Sequence, residues 1–154
     1  MIARKVLGAY ASVGQLPPTE QAEWNRKATG KWGIDTFEIP ILAGVPLASE
    51  IVDVLIEVEA SLVVTLVAQW ATVGQKSPAY GLSSVEESFR QTAILDAYAV
   101  AQQCRSLSER GIHIRHMVLH TGQRCGETIP HAIAFYRSLV DLRQLVTDAL
   151  PDCR

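Results

Sequence analysis

Leu62-Val-Val-Thr-Leu-Val-Ala-Gln69 is an unbroken apolar run, half of it β-branched, that stops at a glutamine. Its length suits one strand and falls far short of the ~20 residues that cross a bilayer as a helix. A strand with one wet face alternates apolar and polar residues, and this one does not. Continuous apolar character marks a parallel strand covered on both faces. Parallel neighbours cannot be joined by a hairpin, so each needs a long crossover, usually a helix. The sequence on either side should therefore alternate strands with helices.

It does so four times. Val6–Ser12 is the first strand, small and apolar, broken by Gly14 and Leu16-Pro-Pro18. The first helix spans about Thr19–Thr29, with Thr19 as N-cap and Gly30 as its stop. Ile34–Ile41 is the second strand, and Pro40 marks its end because proline cannot donate to the ladder. Gly44 and Pro46 lead into the second helix, Leu47–Ala60. There Ile51, Leu55 and Val58 share one face and Glu50, Asp53 and Glu57 another. After the third strand, Leu62–Gln69, residues Trp70–Ser83 read as a long polar loop. Ser84-Val-Glu-Glu87 is a capping box that opens the third helix. Its Phe89, Ala93, Ala97, Val100, Cys104 and Leu107 repeat at helical spacing and should face the sheet. Gly111 ends it. Ile112–His120 is the fourth strand and Thr121-Gly122 its turn. The fourth helix begins near Thr128, with a buried stripe of Ala132, Phe135 or Tyr136, Leu139, Leu142 and Val146. Leu150–Arg154 reads as the loop toward a further strand.

The expected fold is α/β: one domain over residues 1–154, built of four consecutive βα units with a parallel sheet in the order 1-2-3-4. That is half of a (βα)8 barrel, which closes with eight units.

Composition sets bounds on function. The chain has 154 residues, enough for one domain with a real core. Hydrophobic residues make up 48% and charged residues 19%, far from a disordered composition. A formal net charge of −2 supplies no attraction to nucleic acid or to anionic lipid, so neither is an expected partner. Met1-Ile-Ala-Arg-Lys5 runs straight into a strand without a signal-peptide core. Cys104, Cys125 and Cys153 are odd in number and widely spaced, which suits neither a disulfide framework nor a zinc motif. The expected compartment is a reducing cytoplasm.

In βα folds the loops at the carboxyl ends of the strands vary without harming the core, so sites gather there. Tyr10, Glu38, Gln69 and His120 fall at these ends. Glu38, in Phe37-Glu-Ile-Pro40, is costly near the end of an apolar strand unless it meets a cation, a donor or water. It could accept from a substrate hydroxyl or act as a general base; the alternative is a solvated or ion-paired carboxylate. His120 closes His116-Met-Val-Leu-His120. Four residues along a strand span about 13 Å, so the two histidines cannot share one metal ion. His120 could bond substrate or move a proton, or it could bond loop backbone. His116 is expected nearer the strand start and structural, with His113 and His131 exposed. Gln69 and Tyr10 are neutral hydrogen-bonders suited to a polyol. Arg90 opposes the dipole in the first turns of its helix, which an anionic partner would explain: Glu86, Glu87 or a ligand phosphate. No Gly-rich phosphate loop, GxSxG, Cys–His pair or paired metal ligands occur.

Three stretches carry a resemblance. Leu7-Gly-Ala-Tyr-Ala-Ser12, Asp35-Thr-Phe-Glu-Ile-Pro40 and Val118-Leu-His-Thr-Gly122 resemble the first, second and fourth strands of the xylose-isomerase-like (βα)8 barrels. That superfamily holds sugar and sugar-phosphate isomerases and epimerases, and also the endonuclease IV type, which has a histidine where Tyr10 stands. More narrowly, Thr65–Arg90, with Tyr80-Gly-Leu-Ser-Ser84 and Glu86-Glu-Ser-Phe-Arg90, is similar to the domain-of-unknown-function family DUF4862. The resemblance implies that Glu38 and His120 line the top of a barrel as catalytic candidates. It implies that Gln69 and the loop to Arg90, with Tyr10, shape a sugar-binding mouth. The superfamily's divalent metal and paired glutamates belong mainly to strands five to eight. The resemblance therefore implies no metal in this chain, a cofactor held by a second half, and weak or no activity for this half alone.

Two open sheet edges follow from a half-barrel, and a homodimer or another partner should close them. A second reading is a non-catalytic, doubly wound domain of flavodoxin type that binds a small ligand or a protein. Strand order separates the two, because a doubly wound sheet reverses at a switch point. A third reading is a broken gene product without function.

Overall fold

Four strands pair in the order β1 (Val6–Gly8), β2 (Thr36–Pro40), β3 (Ser61–Thr65), β4 (His113–Val118), and every pair is parallel. The structure is a computed structural model describing residues 6–8, 13–74, 77–122 and 128–151. Helices α1 (Pro18–Trp32), α2 (Ser49–Glu57) and α4 (Glu87–Glu109) cross between successive strands, and α5 (Ile129–Ala149) follows β4. A short helical segment α3 (Val67–Gln69) and a π turn (Trp70–Gly74) follow β3. The order never reverses, so the switch point of a doubly wound sheet is absent among the described residues.

Sequential order has a physical consequence. Parallel crossovers are almost always right-handed, so stepping in one direction lays every helix on the same side of the sheet. The core lies on that side. Phe37, Ile39, Leu62, Val64 and Ile114 meet Val52, Leu55, Ala97, Val100, Cys104 and Leu142 there. The other face carries Thr36, Glu38 and Pro40 from β2, Ser61, Val63 and Thr65 from β3, and His113, His116 and Val118 from β4, as the register requires. On it Thr36, Ser61 and Thr65 are buried and Glu38 and Val63 half-buried. Its accessibility rises toward β4, where Val118 is 48% exposed.

Several element ends differ from the sequence reading. The third strand stops at Thr65, because its neighbour β2 ends at Pro40, directly opposite. Gln69 is therefore on a helical turn and not at a strand end. α1 starts at Pro18 without a Thr19 cap and runs through Gly30 to Gly33, whose φ of 63° closes the helix. The capping box does not form. α4 begins at Glu87, too late for Ser84 to cap it; Ser84 accepts from the Glu86 amide, and Glu87 is held by Arg90. The stripe on α4 is as read, with Ala93, Ala97, Val100, Cys104 and Leu107 buried. On α5 the stripe holds at Leu142, with Phe135 and Val146 half-buried against the core, and it extends to Ala134, Ser138 and Ala149. Ala132, Tyr136 and Leu139 stay exposed. Residues 9–12, hence Tyr10, and Cys125 and Cys153 lie outside the described residues. Cys104 is a buried free thiol. Among the described residues no helix is long and apolar enough to cross a membrane.

Candidate functional site

The open face brings Glu38 into line with residues from all four strands. Gly8, Glu38, Val63 and His116 are consecutive partners across β1, β2, β3 and β4. Gly8 has no side chain there, and a Cβ on it would stand 3.8 Å from Glu38 Oε2. The half-buried carboxylate thus leans over β1. His116 lies two strands to the other side, about 10 Å away at the Cα positions from the ~4.8 Å strand spacing. It is exposed, mid-strand and on the same face as Glu38, nearer the strand start than His120, which lies beyond the strand.

An irregularity puts it there. The register between β3 and β4 shifts between Leu62 and Val63, so Leu62 faces Ile114 while Val63 faces His116. Arg115 is the extra residue of a β-bulge. Without it, His116 would share the helix-covered face with Ile114 by period two. Strict alternation missed this histidine. The sequence signal is faint: two consecutive polar residues, Arg115 and His116, between the apolar Ile114 and Met117, where strict alternation allows one.

His120 follows β4 and stacks on Trp70, with ring centroids 4.8 Å apart and planes 22° from parallel. Its Nδ1 accepts the Gly122 amide at 3.1 Å. A neutral imidazole that accepts at Nδ1 carries its proton on Nε2. Burial holds the ring's pKa below the ordinary histidine value. At neutral pH His120 is therefore a neutral Nε2–H donor. The turn that fixes it is pressed against the preceding loop: Ser83 donates its amide to Thr121 at 2.9 Å, and Gly81 and Gly122 pack backbone to backbone.

Gln69 is 6% exposed and fully engaged. Its Oε1 accepts the Ala43 amide at 3.0 Å and its Nε2 donates to Asp96 at 2.7 Å. Tyr80 donates to the same Asp96 oxygen at 2.7 Å. Burial first, and then the Asp96 carboxylate, push the Tyr80 phenol above its usual range, so it stays a donor. Gln69 thereby ties the loop after β2 to α4. Gln69, Trp70, Tyr80 and His120 together line a cavity of about 10 Å³, room for one water and no more. Sequence reading missed Tyr80, Trp70 and Asp96. Asp96 was detectable, since it interrupts the apolar stripe of α4 between Ala93 and Val100. Among the described residues, buried Trp70 Nε1 has no hydrogen-bond partner.

Arg90 stands apart from this cluster. Its side chain is 3% exposed. Nε and Nη2 hold both Glu87 oxygens at 2.8 and 2.6 Å, and Nη1 reaches Asp141 at 2.7 Å and Ser138 at 3.2 Å. The anionic partner is thus Glu87, joined by Asp141 from α5, and the guanidinium fastens α4 to α5. Its pKa is raised, chiefly by the Glu87 hydrogen bond. His113 is exposed as expected; His131 is half-buried with Nδ1 2.7 Å from Thr128 Oγ1.

Among the described residues no three His, Cys, Asp or Glu side chains converge to hold a metal. A cleft of about 260 Å³ beyond the end of β2 is bordered mostly by apolar side chains such as Ile39, Ile41, Leu42 and Leu47. It includes neither Glu38 nor His120.

A family model, described as a domain of unknown function, matches residues 6–150. The chain belongs to the DUF4862 family. The match takes in every described strand and helix, so the geometry above is that of a DUF4862 domain. No curated protein and no solved structure matches the chain.

Proposed function

We propose that this DUF4862 chain is the substrate-gripping half of a sugar or sugar-phosphate isomerase- or epimerase-like barrel. The observation that carries the reading is Glu38, a carboxylate held half-buried at the middle of β2 on the sheet face away from the helices, one turn of the pleat below the strand's carboxyl end. Ligands of such sheets bind beyond the carboxyl ends of the strands. In the proposed role Glu38 accepts from a sugar hydroxyl and is positioned to take a proton. His120, kept neutral, donates Nε2–H to a substrate oxygen. A neutral donor is the useful form where a carbonyl must be polarised without a competing proton transfer. Gln69 holds the loop geometry instead of touching substrate, and Arg90 does the same for the outer helices.

The divalent ion of the sugar isomerases does not fit these residues, because no three-ligand set exists among those described. No step proposed here runs through a metal.

The test is calorimetric titration of the purified chain with pentoses, hexoses and their phosphates, alongside Glu38→Gln. The expected result is weak, saturable binding of at least one of them, lost in the variant. No binding to any of them, or binding unchanged in Glu38→Gln, overturns the proposal.

A further inference from the structure

The cleft beyond the end of β2 lies between α1 and the segment of residues 42–48 that leads into α2. Two features set its chemistry. None of its described lining residues carries a charge, and most are apolar, Ile41, Leu47 and Ile51 among them. The cleft also holds a buried amide without a partner. Pro18, Gln21 and Asn25 recur along α1 at intervals of three and four, so they share one face, and that face forms a wall of the cleft. Gln21 donates Nε2 to the Leu16 carbonyl at 2.7 Å. Asn25 is 2% exposed, and among the described residues its Oδ1 has no hydrogen-bond partner. Buried polar groups are almost always paired, and an unpaired one opposes folding. An apolar residue at position 25 would remove that cost, so the amide points to a partner from outside the chain.

The wall made by residues 42–48 is preformed. The Val45 amide donates to the Leu42 carbonyl at 3.1 Å, and Gln103 Nε2 donates to the same carbonyl at 3.1 Å. Gln69 accepts the Ala43 amide at 3.0 Å. These bonds fix the segment without filling the cleft, so a ligand has little to order on entry. The volume of about 260 Å³ falls just under the ~300–1,000 Å³ of drug-sized ligand sites, which suits a single ring. Uncharged walls offer nothing to a phosphate or a carboxylate. Apolar side chains dominate them, which favours an apolar body over a water, since a held water wants about two to four polar partners.

We propose that this cleft binds a small, uncharged, mainly apolar molecule with one hydrogen-bond donor. Its apolar body lies against Ile41, Leu47 and Ile51, and its O–H or N–H donates to Asn25 Oδ1. The cleft contains neither Glu38 nor His120, so this site stands or falls independently of the sugar reading.

Methyl NMR of the whole chain, titrated with cyclohexanol and then with cyclohexanone, is the test. The two rings match in size, and only the alcohol has a donor. Cyclohexanol should give saturable shifts at the Ile41, Leu47 and Ile51 methyls. Cyclohexanone should bind about three- to tenfold more weakly, the worth of one hydrogen bond. Asn25→Ala opens space and removes the acceptor, so it should bind both probes alike. Asn25→Leu, closer to the native side chain in size, repeats the comparison should Asn25→Ala fail to fold. Shifts that rise without saturation (an adventitious additive only), equal affinity for the two probes in the wild-type chain, or a preference for the alcohol that survives in the variant, overturn the proposal.

Discussion

Gly81→Ala drives one methyl group into the backbone that positions His120. A Cβ at residue 81 would stand 2.8 Å from Gly122 Cα and 2.9 Å from the Thr121 carbonyl oxygen. Carbon atoms in contact prefer roughly 3.5–4.0 Å, so about an ångström must be found. Both neighbours are main-chain atoms, and no rotamer change yields that space. The φ of 150° at Gly81 adds strain for any residue with a side chain. Overpacking costs about 1–3 kcal/mol and a strained backbone ~1–3 kcal/mol. Because one shift relieves part of both, a combined loss of roughly 2–4 kcal/mol is expected. That is a large part of a typical 5–15 kcal/mol. The movement also breaks the Ser83-to-Thr121 bond or loosens the Gly122 amide from His120 Nδ1. Urea unfolding measures the first effect through the midpoint. Long-range nitrogen–proton NMR correlation of the imidazole measures the second. The expected outcome is a lowered midpoint together with mixed His120 tautomers. A loss below about 0.5 kcal/mol with the Nε2–H tautomer intact would refute the reasoning.

Three further outcomes follow from the same geometry. Arg90→Ala removes a buried guanidinium with three partners and should destabilise by about 2–3 kcal/mol in urea unfolding, somewhat less than a fully buried pair because Glu87 and Asp141 remain partly solvated. Gln69→Leu strands the Ala43 amide and removes a donor from Asp96, costing about 1–3 kcal/mol, with faster hydrogen exchange at Ala43 as the local readout. The pH dependence of melting has two windows. Arg90 first, and then Gln91, hold Glu87 near 2, below its ordinary 4.5, so stability present above that range is lost as pH falls through it, and Glu87→Gln removes this slope. His120, held below 6.5 by burial, favours the fold when neutral; stability is full above that value and declines as pH drops below it, a step that His120→Gln should abolish in thermal melts.

Much of the architecture was legible in the chain because burial is periodic. The unbroken run at Leu62–Leu66 and the helical spacing from Ala93 to Leu107 report directly on which side chains leave water. Glu38 was legible for the converse reason, a charge placed where apolar residues are expected. Element ends were not legible. β3 stops at Thr65 because Pro40 across from it ends β2, and such pairing between strands is not encoded locally. Gln69 looked like a strand-end group and proved to be a buried brace, since its partners Ala43 and Asp96 are 26 and 27 residues away. Arg90 found the carboxylate three residues before it, as helical spacing allows, but its second partner Asp141 is 51 residues on.

Local propensity and periodicity alone determined four βα units, a parallel sheet and the stripe on α4. Only the tertiary structure decided what stands on the open face. The bulge at Arg115 reverses the alternation of β4 and turns His116 and Val118 to the side of Glu38, a choice made by the register with β3 and not by the strand itself. Tertiary packing likewise chose which part of the α5 apolar arc to bury. The sequence marks Ala132, Phe135 or Tyr136, and Leu139 as residues that should leave water, and of these Phe135 packs against the core. Packing against α4, where Arg90 reaches Ser138 and Asp141, covers the side that carries Ala134, Ser138 and Leu142.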